Sequence, residues 1–262
     1  MKYGFIGCGN MGGALIKALS NATKEIIIAD FFNEKAQNLA NELHVKAGAN
    51  DEVIEASKMV FMAVKPQMYA DVLLSLKDKL QAKKPVLISI AAGIKMEKIK
   101  EILGFDLPVI RIMPNTPVQV GKGLIMYDYN ELVDEKTINE FVKDMAFAGT
   151  MDKIQESLID AGTAVSGCGP AYMFMFIDAL AKGGVKCGLT EEQAILYAAS
   201  TMEGAAKLLL ESKLPPETLK QNVCSPGGST IKGVEALEQN GLYFACEDAV
   251  IKAYKRNIEL GK

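Results

Sequence analysis

Three glycines near the start of the chain have the spacing of a dinucleotide-binding turn. Gly7, Gly9 and Gly12 follow a short apolar run at residues 3–6 and lead into a helical pattern, the context in which G-x-G-x-x-G is meaningful. The first glycine permits a tight turn, the second lets the backbone approach a pyrophosphate, and the third lets the helix pack closely on the strand. Free N–H groups at the start of the helix would then face the phosphates. The spacing predicts a nucleotide site.

An acidic residue closes the second apolar run of the chain. Residues 25–30 indicate a strand that ends at Asp30, about 20 residues past the glycines, where an NAD site has an acid for the ribose diol. A 2′-phosphate at that place would meet a like charge, which favours NADH. The carboxylate could instead turn away and cap the following helix. We expect both NADH and NADPH to serve, with a slight preference for NADH.

Further loops stand at strand ends on the carboxyl side of the predicted sheet, where ligands of doubly wound sheets bind. Ala91, Ala92 and Gly93 are small enough for the backbone to approach a nicotinamide ring, although a plain strand-to-helix turn has the same composition. Lys65 is either solvated or directed at cofactor or substrate. Asn50 either caps a helix or contacts the adenosine. The loops at strand ends are residues 7–12, 63–66, 90–93 and 113–117.

A second glycine-rich loop, residues 225–230, stands directly before a predicted helix. Gly227 and Gly228 are followed there by the hydroxyls of Ser229 and Thr230, a combination that binds anions such as a carboxylate. Taken alone, the loop is better explained as an interhelical turn with a Ser or Thr cap. The only histidine, His44, is poorly placed as a base for alcohol oxidation. A protonated imine accepts hydride without a strong acid, and Thr230 or a water could relay its proton.

Composition narrows the class of protein. The 262 residues are 49% hydrophobic with a net charge of −3, which suits one large or two ordinary domains and recommends no nucleic-acid partner. No run approaches the ~20 apolar residues of a membrane span. A strand begins almost at once, so we expect no signal peptide and a cytoplasmic protein. Five scattered cysteines give no metal-ligand spacing, and Cys224 is better explained as a small buried residue than as a nucleophile.

The order of elements predicts an α/β fold, with an N-terminal parallel, doubly wound (Rossmann) sheet at residues 1–160 and an all-α dimerisation domain at 161–262. The predicted strands are 25–30, 59–64, 85–90, 107–113 and 123–127, after the first at 3–6. The predicted helices are 13–20, 33–43 (with Asn33 as N-cap), 51–56, 68–80, 96–103, 135–145, 169–186, 190–212 (capped by Thr190 and Gln193), 215–222, 231–238 and 242–260.

The predicted helix 169–186 is apolar on nearly every face. Such a helix must bury all of its faces, which a domain of ~100 residues covers poorly by itself. The pattern therefore favours a homodimer. The alternative is that this helix is simply central to its own bundle.

Taken in order, these motifs resemble the pyrroline-5-carboxylate reductase family over essentially the whole chain. The resemblance rests on residues 5–11, 63–66, 91–93, 113–117, 166–172, 178–180, 183–185 and 225–230. It implies reduction of the cyclic imine 1-pyrroline-5-carboxylate to L-proline by NADPH or NADH, the last step of proline biosynthesis. It also implies a homodimer, often assembled further into decamers. Many members prefer NADPH and carry small or basic residues after the second strand, where this chain has Asp30, Phe31 and Phe32.

The resemblance also implies site residues. It places cofactor contacts at Ile6, Gly7, Cys8, Gly9, Asn10, Met11, Asn50, Ala63, Val64, Lys65, Pro66, Ile90, Ala91 and Ala92. It places the substrate carboxylate at Asn222, Ser225, Gly227, Gly228, Ser229 and Thr230. Two other enzymes would share the first domain, a reductase of another cyclic imine and a hydroxy-acid dehydrogenase. A nucleotide-sensing regulatory protein would bind dinucleotide without turnover and would have no use for the loop at 225–230.

Overall fold

The computed structural model describes residues 1–260, which divide into two compact units. The first contains Met1–Cys168 together with the C-terminal residues from Ala253, and the second is Gly169–Lys252. Helical turns between residues 159 and 167 thus belong with the first unit. Strands end with β8 at Lys153, so the predicted change from an α/β pattern to helices is confirmed.

The first unit is built on one eight-stranded sheet of order β3-β2-β1-β4-β5-β6-β7-β8. The strands β2 and β3 lie on one side of β1, and the strands from β4 onward lie on its other side. This reversal of direction at β1 is the doubly wound arrangement. The expectation of a wholly parallel sheet is wrong at β7, which pairs antiparallel with β6. Only a 3₁₀ turn, Thr116–Val120, lies between those two strands, and it is too short to return the chain for parallel pairing. The strands are β1 (Tyr3–Ile6), β2 (Ile26–Ala29), β3 (Lys46–Ala47), β4 (Met59–Met62), β5 (Val86–Ser89), β6 (Val109–Pro114), β7 (Gly123–Tyr129) and β8 (Gly149–Lys153).

Helices cover the sheet of the first unit, and its core lies between them and the strands. Every residue of β1, β2 and β4 is buried, as expected of strands covered on both faces. The predicted helix 68–80 is two helices that meet at Leu76, and the N-cap of α2 is Phe32 rather than Asn33. The helices are α1 (Asn10–Leu19), α2 (Asn33–Leu43), α3 (Asn50–Ala56), α4 (Pro66–Ser75), α5 (Lys77–Lys83), α6 (Met96–Leu103), α7 (Glu135–Met145) and α8 (Ile159–Gly162).

The second unit is helical, as predicted. Its capping box is confirmed, since the Gln193 N–H donates to Thr190 Oγ1 across 3.2 Å and the Thr190 N–H donates to Gln193 Oε1 across 3.1 Å. The last helix begins in this unit, and its residues from Ala253 belong to the first. The helices are α9 (Gly169–Lys186), α10 (Glu191–Ser212), α11 (Pro216–Val223), α12 (Ser229–Gln239) and α13 (Leu242–Leu260).

Helix α9 leaves most of its apolar side chains uncovered in the single chain. Phe174 is 67% exposed and Met175 is 71% exposed, and only Gly169 and Ala181 of the helix are buried. The alternative that α9 is central to its own bundle is therefore wrong, because one chain does not cover this helix. An exposed apolar surface of this kind is typical of an interaction surface.

One segment is long and apolar enough to cross a membrane by length and composition alone. It is the continuous helical stretch Glu156–Lys186, which contains an 18-residue window with a mean hydropathy of 1.3. The expectation that no run approaches this length is wrong by that measure. One such stretch is weak evidence for a membrane span, because apolar helices of soluble proteins meet the same criterion.

Candidate functional site

The chain makes the predicted turn at the carboxyl end of β1. Gly7 has φ of 106°, a conformation that favours glycine, and a Cβ added there would overlap the carbonyl oxygen of Ala63. A Cβ on Gly12 would overlap the carbonyl oxygen of Gly7. A Cβ on Gly9, by contrast, would meet no described atom within 4 Å. Packing thus requires the first and third glycines, and the second faces the open space that a pyrophosphate needs.

Helix α1 begins at Asn10, directly after this turn, with Gly9 as its N-cap. The first N–H groups of a helix have no partner within the helix, and the dipole makes this end positive. The first turn of α1 contains no acidic residue. The start of α1 is therefore suited to an anionic ligand, and no carboxylate of its own first turn competes for the N–H groups.

Three of the predicted cofactor loops leave the sheet side by side. Ile6 pairs in register with Met62, and Met62 pairs with Ser89, so the loops after β1, β4 and β5 begin at one edge. The structure thereby brings together residues 6–11, 63–66 and 90–92. Ala91 is buried, whereas Lys65 is exposed at the N-cap of α4.

Asn50 lies at the start of α3, beyond the short edge strand β3, and is half-buried. It is the first helical residue and not the N-cap, which is Ala49. The Ala49 N–H donates to Glu52 Oε2 across 2.9 Å, so Glu52 supplies the side-chain cap. The interpretation of Asn50 as a cap is therefore wrong, and its contact with adenosine stays a prediction.

Asp30 is turned toward the glycine turn. Its Oδ2 accepts a hydrogen bond from the Cys8 N–H across 2.6 Å, and its Oδ1 accepts one from the Phe32 N–H across 3.0 Å. One carboxylate thus braces both the glycine turn and the loop after β2. Each oxygen keeps a second lone pair for another donor, and ribose binding by Asp30 stays a prediction.

The Cys8 thiol is buried beneath the same turn, with Sγ 3.5 Å from the carbonyl oxygen of Ala29. Burial, and secondarily the charge of Asp30, raises the pKa of this thiol from its ordinary 9.0 to about 12, although Lys35 opposes part of the rise. The thiol is therefore neutral at pH 7 and is no nucleophile. Only the backbone of Cys8 is suited to a ligand.

A cleft of about 800 Å³ opens beside the glycine turn, between α1 and α2. Asn10 and Lys35 line it from the two helices, and Phe32 lines it from the loop after β2. The Phe32 ring packs edge to face against Phe31 at 5.2 Å, and Phe31 is 87% exposed. A basic residue and two uncovered aromatic rings thus stand next to Asp30, where the sequence departs from the family pattern.

In the second unit, the loop 225–230 forms a turn that leads into α12. Gly227 has φ of 73°, and the Gly228 N–H donates to the Ser225 carbonyl oxygen across 3.0 Å. Helix α12 begins at Ser229, two residues before the predicted start, so Ser229 and Thr230 lie in its first turn with exposed side chains. Gly228 is the N-cap and no side chain caps the helix, so the predicted Ser or Thr cap is wrong. The hydroxyls and first N–H groups of α12 share one helix end, without an acidic residue in the first turn.

The remaining candidates lie outside the glycine turn and the loop 225–230 in sequence. Asn222 is exposed in the last turn of α11. His44 is exposed at the C-cap of α2 with φ of 55°, two residues before β3 begins. Within residues 1–260, no group of three or more His, Cys, Asp or Glu side chains is arranged to hold a metal ion.

The loop after β6 is held by a residue that the sequence did not single out. Asn115 Nδ2 donates to the Ser166 carbonyl oxygen across 3.1 Å, and its Oδ1 accepts from the Leu124 N–H across 2.9 Å. Arg111, within β6 itself, is fully buried and pairs with Glu156 and Asp160. The only signal for Arg111 in the sequence is one charged residue inside an otherwise apolar run.

Comparison with known proteins bears on both units. A family model described as pyrroline-5-carboxylate reductase dimerisation matches residues 156–260, and one described as NADP oxidoreductase coenzyme F420-dependent matches residues 2–93. The chain is 40% identical over 244 residues to the pyrroline-5-carboxylate reductase of Aquifex aeolicus, covering 92% of this chain and 90% of that protein. It is 35% identical over 266 residues to that of Escherichia coli, covering 100% and 98%. The crystal structure of Plasmodium falciparum pyrroline carboxylate reductase with NADP bound matches it with a TM-score of 0.89 at 32% identity, covering 100% of this chain and 98% of that one.

Proposed function

We propose an activity from one premise: this chain belongs to the pyrroline-5-carboxylate reductase family. It is an NAD(P)H-dependent oxidoreductase that reduces the C=N bond of 1-pyrroline-5-carboxylate to give L-proline, the last step of proline biosynthesis. The observation that carries this assignment is identity along essentially the whole chain, because the matched length includes both the glycine turn and the loop 225–230.

On the cofactor side, the chain's own groups account for dinucleotide binding. Gly9 leaves room for the pyrophosphate, and the first N–H groups of α1 stabilise its charge. Ile90, Ala91 and Ala92 let the backbone approach the nicotinamide ring, which supplies the hydride when bound. Beside these, the proposed contacts are Ile6, Gly7, Cys8, Asn10, Met11, Asp30, Asn50, Ala63, Val64, Lys65 and Pro66.

On the substrate side, the proposed binding group is the start of α12. Its first N–H groups and the hydroxyls of Ser229 and Thr230 hold the substrate carboxylate, together with Asn222, Ser225 and the two glycines of the loop. Hydride adds to the carbon of the protonated C=N bond, and the nitrogen keeps its proton. Thr230 or a water relays that proton to the imine nitrogen, and Thr230 is the chain's proposed catalytic residue.

We also propose the assembly and setting of the enzyme. The uncovered faces of α9 and α10 are the interface of a homodimer, with residues 161–262 as the dimerisation domain and decamers as a higher assembly of such dimers. The apolar stretch Glu156–Lys186 lies in the region matched by the dimerisation model, so a second copy rather than a membrane is its partner. The five cysteines are unpaired, which fits a reducing cytoplasm. The net charge of −3 recommends no nucleic acid.

The test is oxidation of NADPH and of NADH by the purified protein with pyrroline-5-carboxylate added. We expect turnover with both cofactors, and one molecule of proline formed for each molecule of cofactor oxidised. One parallel assay replaces the substrate with a six-membered cyclic imine carboxylate and uses the same reduced cofactors. Another supplies 2-hydroxy acids together with the oxidised cofactors. Preferred turnover of either would replace the proposed substrate. Dinucleotide binding without any turnover would point to a nucleotide-sensing protein.

A further inference from the structure

Arg111 is a charged side chain buried in the sheet. It lies in β6 with 0% exposure and pairs in register with Ser89, the last residue of β5, so both side chains lie on the same face. Its Nη1 lies 3.3 Å from Glu156 Oε1, and its Nη2 lies 3.2 Å from Asp160 Oδ1. A buried guanidinium is tolerated only with partners of this kind. Packing alone would be served by an apolar residue, as at the neighbouring positions of the strand.

The Glu156 carboxylate connects Arg111 to the loop that follows β5. The same Oε1 also accepts a hydrogen bond from the Met96 N–H across 2.8 Å, and Met96 is the first residue of α6. Glu156 is itself anchored, since its N–H donates to Asp128 Oδ2 across 2.7 Å. One carboxylate oxygen therefore joins the start of α6 to the buried guanidinium.

Both ends of the loop between β5 and α6 thus lie beside this ion pair. The loop leaves the sheet at Ser89, the strand partner of Arg111, and it ends at Met96, which Glu156 holds. Burial raises the pKa of the Tyr69 phenol, while the adjacent Ser89 hydroxyl and the Arg111 charge oppose part of that rise. Tyr69 and Ser89 are therefore further buried polar side chains close to Arg111.

We propose that Arg111 and Glu156 are positioning residues for the nicotinamide loop, residues 90–92. This inference rests on the proposed function, in which that loop contacts the nicotinamide. Ile90, Ala91 and Ala92 have no polar side chain with which to fix their own backbone, so polar side-chain contacts can fix it only at the two ends of the loop, in addition to the burial of Ala91. A reacting ring displaced by about 1 Å loses on the order of a hundredfold in rate.

The test separates positioning from general stability by comparing the whole dinucleotide with a fragment that lacks nicotinamide. Glu156→Ala removes the acceptor of both the Arg111 and Met96 bonds, whereas Glu156→Gln keeps an oxygen for Met96. The control is Asp144→Asn. Asp144 is a similarly buried carboxylate that accepts from the Tyr3 hydroxyl across 2.8 Å and pairs with Lys2, at the amino end of β1.

Calorimetry with NADPH and with ADP-ribose, which lacks nicotinamide, measures the effect without any imine substrate. We expect Glu156→Ala to weaken NADPH binding about tenfold with ADP-ribose binding unchanged, and to lower kcat at saturating cofactor. Glu156→Gln should recover most of the loss, and Asp144→Asn should lower Tm only. Equal effects of Glu156→Ala on both ligands, or none on either, would overturn the proposal.

A second variant covers a failure of Glu156→Ala to fold. Arg111→Lys keeps the buried charge but loses the two-pronged contact with Glu156 and Asp160. It should show the same selective loss of NADPH over ADP-ribose, and an unchanged ratio of the two affinities would count against the proposal. If the wild-type protein fails to reduce pyrroline-5-carboxylate, the proposed substrate falls, while the two binding measurements still decide the role of the loop.

Discussion

The carboxylate of Asp30 accepts a hydrogen bond from the backbone N–H of Cys8 across 2.6 Å. This bond ties the end of β2 to the middle of the glycine turn, and the other carboxylate oxygen holds the Phe32 N–H. Asp30 therefore has a structural role in the glycine turn besides any contact with the ribose. A substitution at this position changes the turn as well as the charge, and the two effects need separate variants.

Asp30→Asn removes the charge while keeping one carbonyl oxygen for the Cys8 N–H. We expect the ratio of kcat/KM with NADPH to that with NADH to rise about tenfold, if ~1.4 kcal/mol of repulsion with the 2′-phosphate is relieved. Steady-state kinetics with both cofactors in both proteins measure the ratio. Asp30→Ser, whose hydroxyl is too short to reach Cys8, should shift the ratio likewise but lower the efficiency with both cofactors. A ratio that stays constant would mean that Asp30 does not face the ribose.

Gly9→Val tests the open side of the turn. The backbone at Gly9 is extended, with φ of −62° and ψ of −171°, and a Cβ there meets no described atom within 4 Å. We therefore expect the fold and Tm to be kept while dinucleotide binding is lost, because the side chain occupies the approach of the pyrophosphate. Gly12→Val is the contrast, since it overlaps the Gly7 carbonyl and should lower stability. Unchanged affinity of Gly9→Val by calorimetry would contradict this role.

The parts of this fold that could be predicted from sequence depend on short-range signals. The glycine turn and the Thr190 capping box are each contained within six residues, and buried strands such as β4 are continuous apolar runs. The strands β3 and β8 were missed because they are edge strands. The first has only two residues, and the second is largely exposed with charged side chains, so neither shows an apolar run.

The ion pairs of Arg111 could not be predicted, because they depend on tertiary structure. Its partners lie 45 and 49 positions further along the chain, in helical turns whose placement beneath β6 follows only from the folded chain. The direction of β7 was missed for a related reason, since only the short turn before it decides between antiparallel and parallel pairing. Asn115 belongs to the motif at residues 113–117, but the sequence does not predict its hydrogen bonds to Ser166 and Leu124, because these also depend on the folded chain.

The uncovered face of α9 predicts an obligate dimer. We expect sedimentation at low concentration to show no folded monomer of 28.3 kDa. Phe174→Lys places a charge on that face, where Phe174 is 67% exposed in the single chain, and should weaken association. Val120→Lys is the matched control, a 74% exposed apolar residue of the first unit outside the dimerisation match, and it should leave the dimer intact. A stable wild-type monomer would refute the proposed interface.

The buried thiol of Cys8 predicts a dependence of stability on alkaline pH. Its pKa is about 12 in the folded protein against an ordinary 9.0, so the folded state disfavours the thiolate. The contribution of the neutral Cys8 thiol to the free energy of unfolding is fully present below pH 9 and is lost as the pH rises from 9 toward 12. The cavity in Cys8→Ala lowers stability by an amount that does not depend on pH, whereas only the wild type loses stability through titration of this thiol. The gap between the denaturant midpoints of wild type and Cys8→Ala should therefore narrow as the pH rises across that range. Parallel curves would show that Cys8 does not titrate on unfolding.

Thr230 is the residue on which substrate recognition and proton relay depend in the proposed mechanism. Its side chain is exposed in the first turn of α12, beside Ser229 and the free N–H groups of that helix end, and the helix uses no side-chain cap. Removal of the hydroxyl in Thr230→Ala therefore costs no internal hydrogen bond of the helix cap. We expect kcat/KM for pyrroline-5-carboxylate to fall by about 1–3 kcal/mol of transition-state stabilisation, with the KM for NADPH unchanged. Thr230→Ser keeps the hydroxyl and should retain most of the catalytic efficiency of the wild type. Wild-type kinetics in Thr230→Ala would show that the loop is only a turn between α11 and α12.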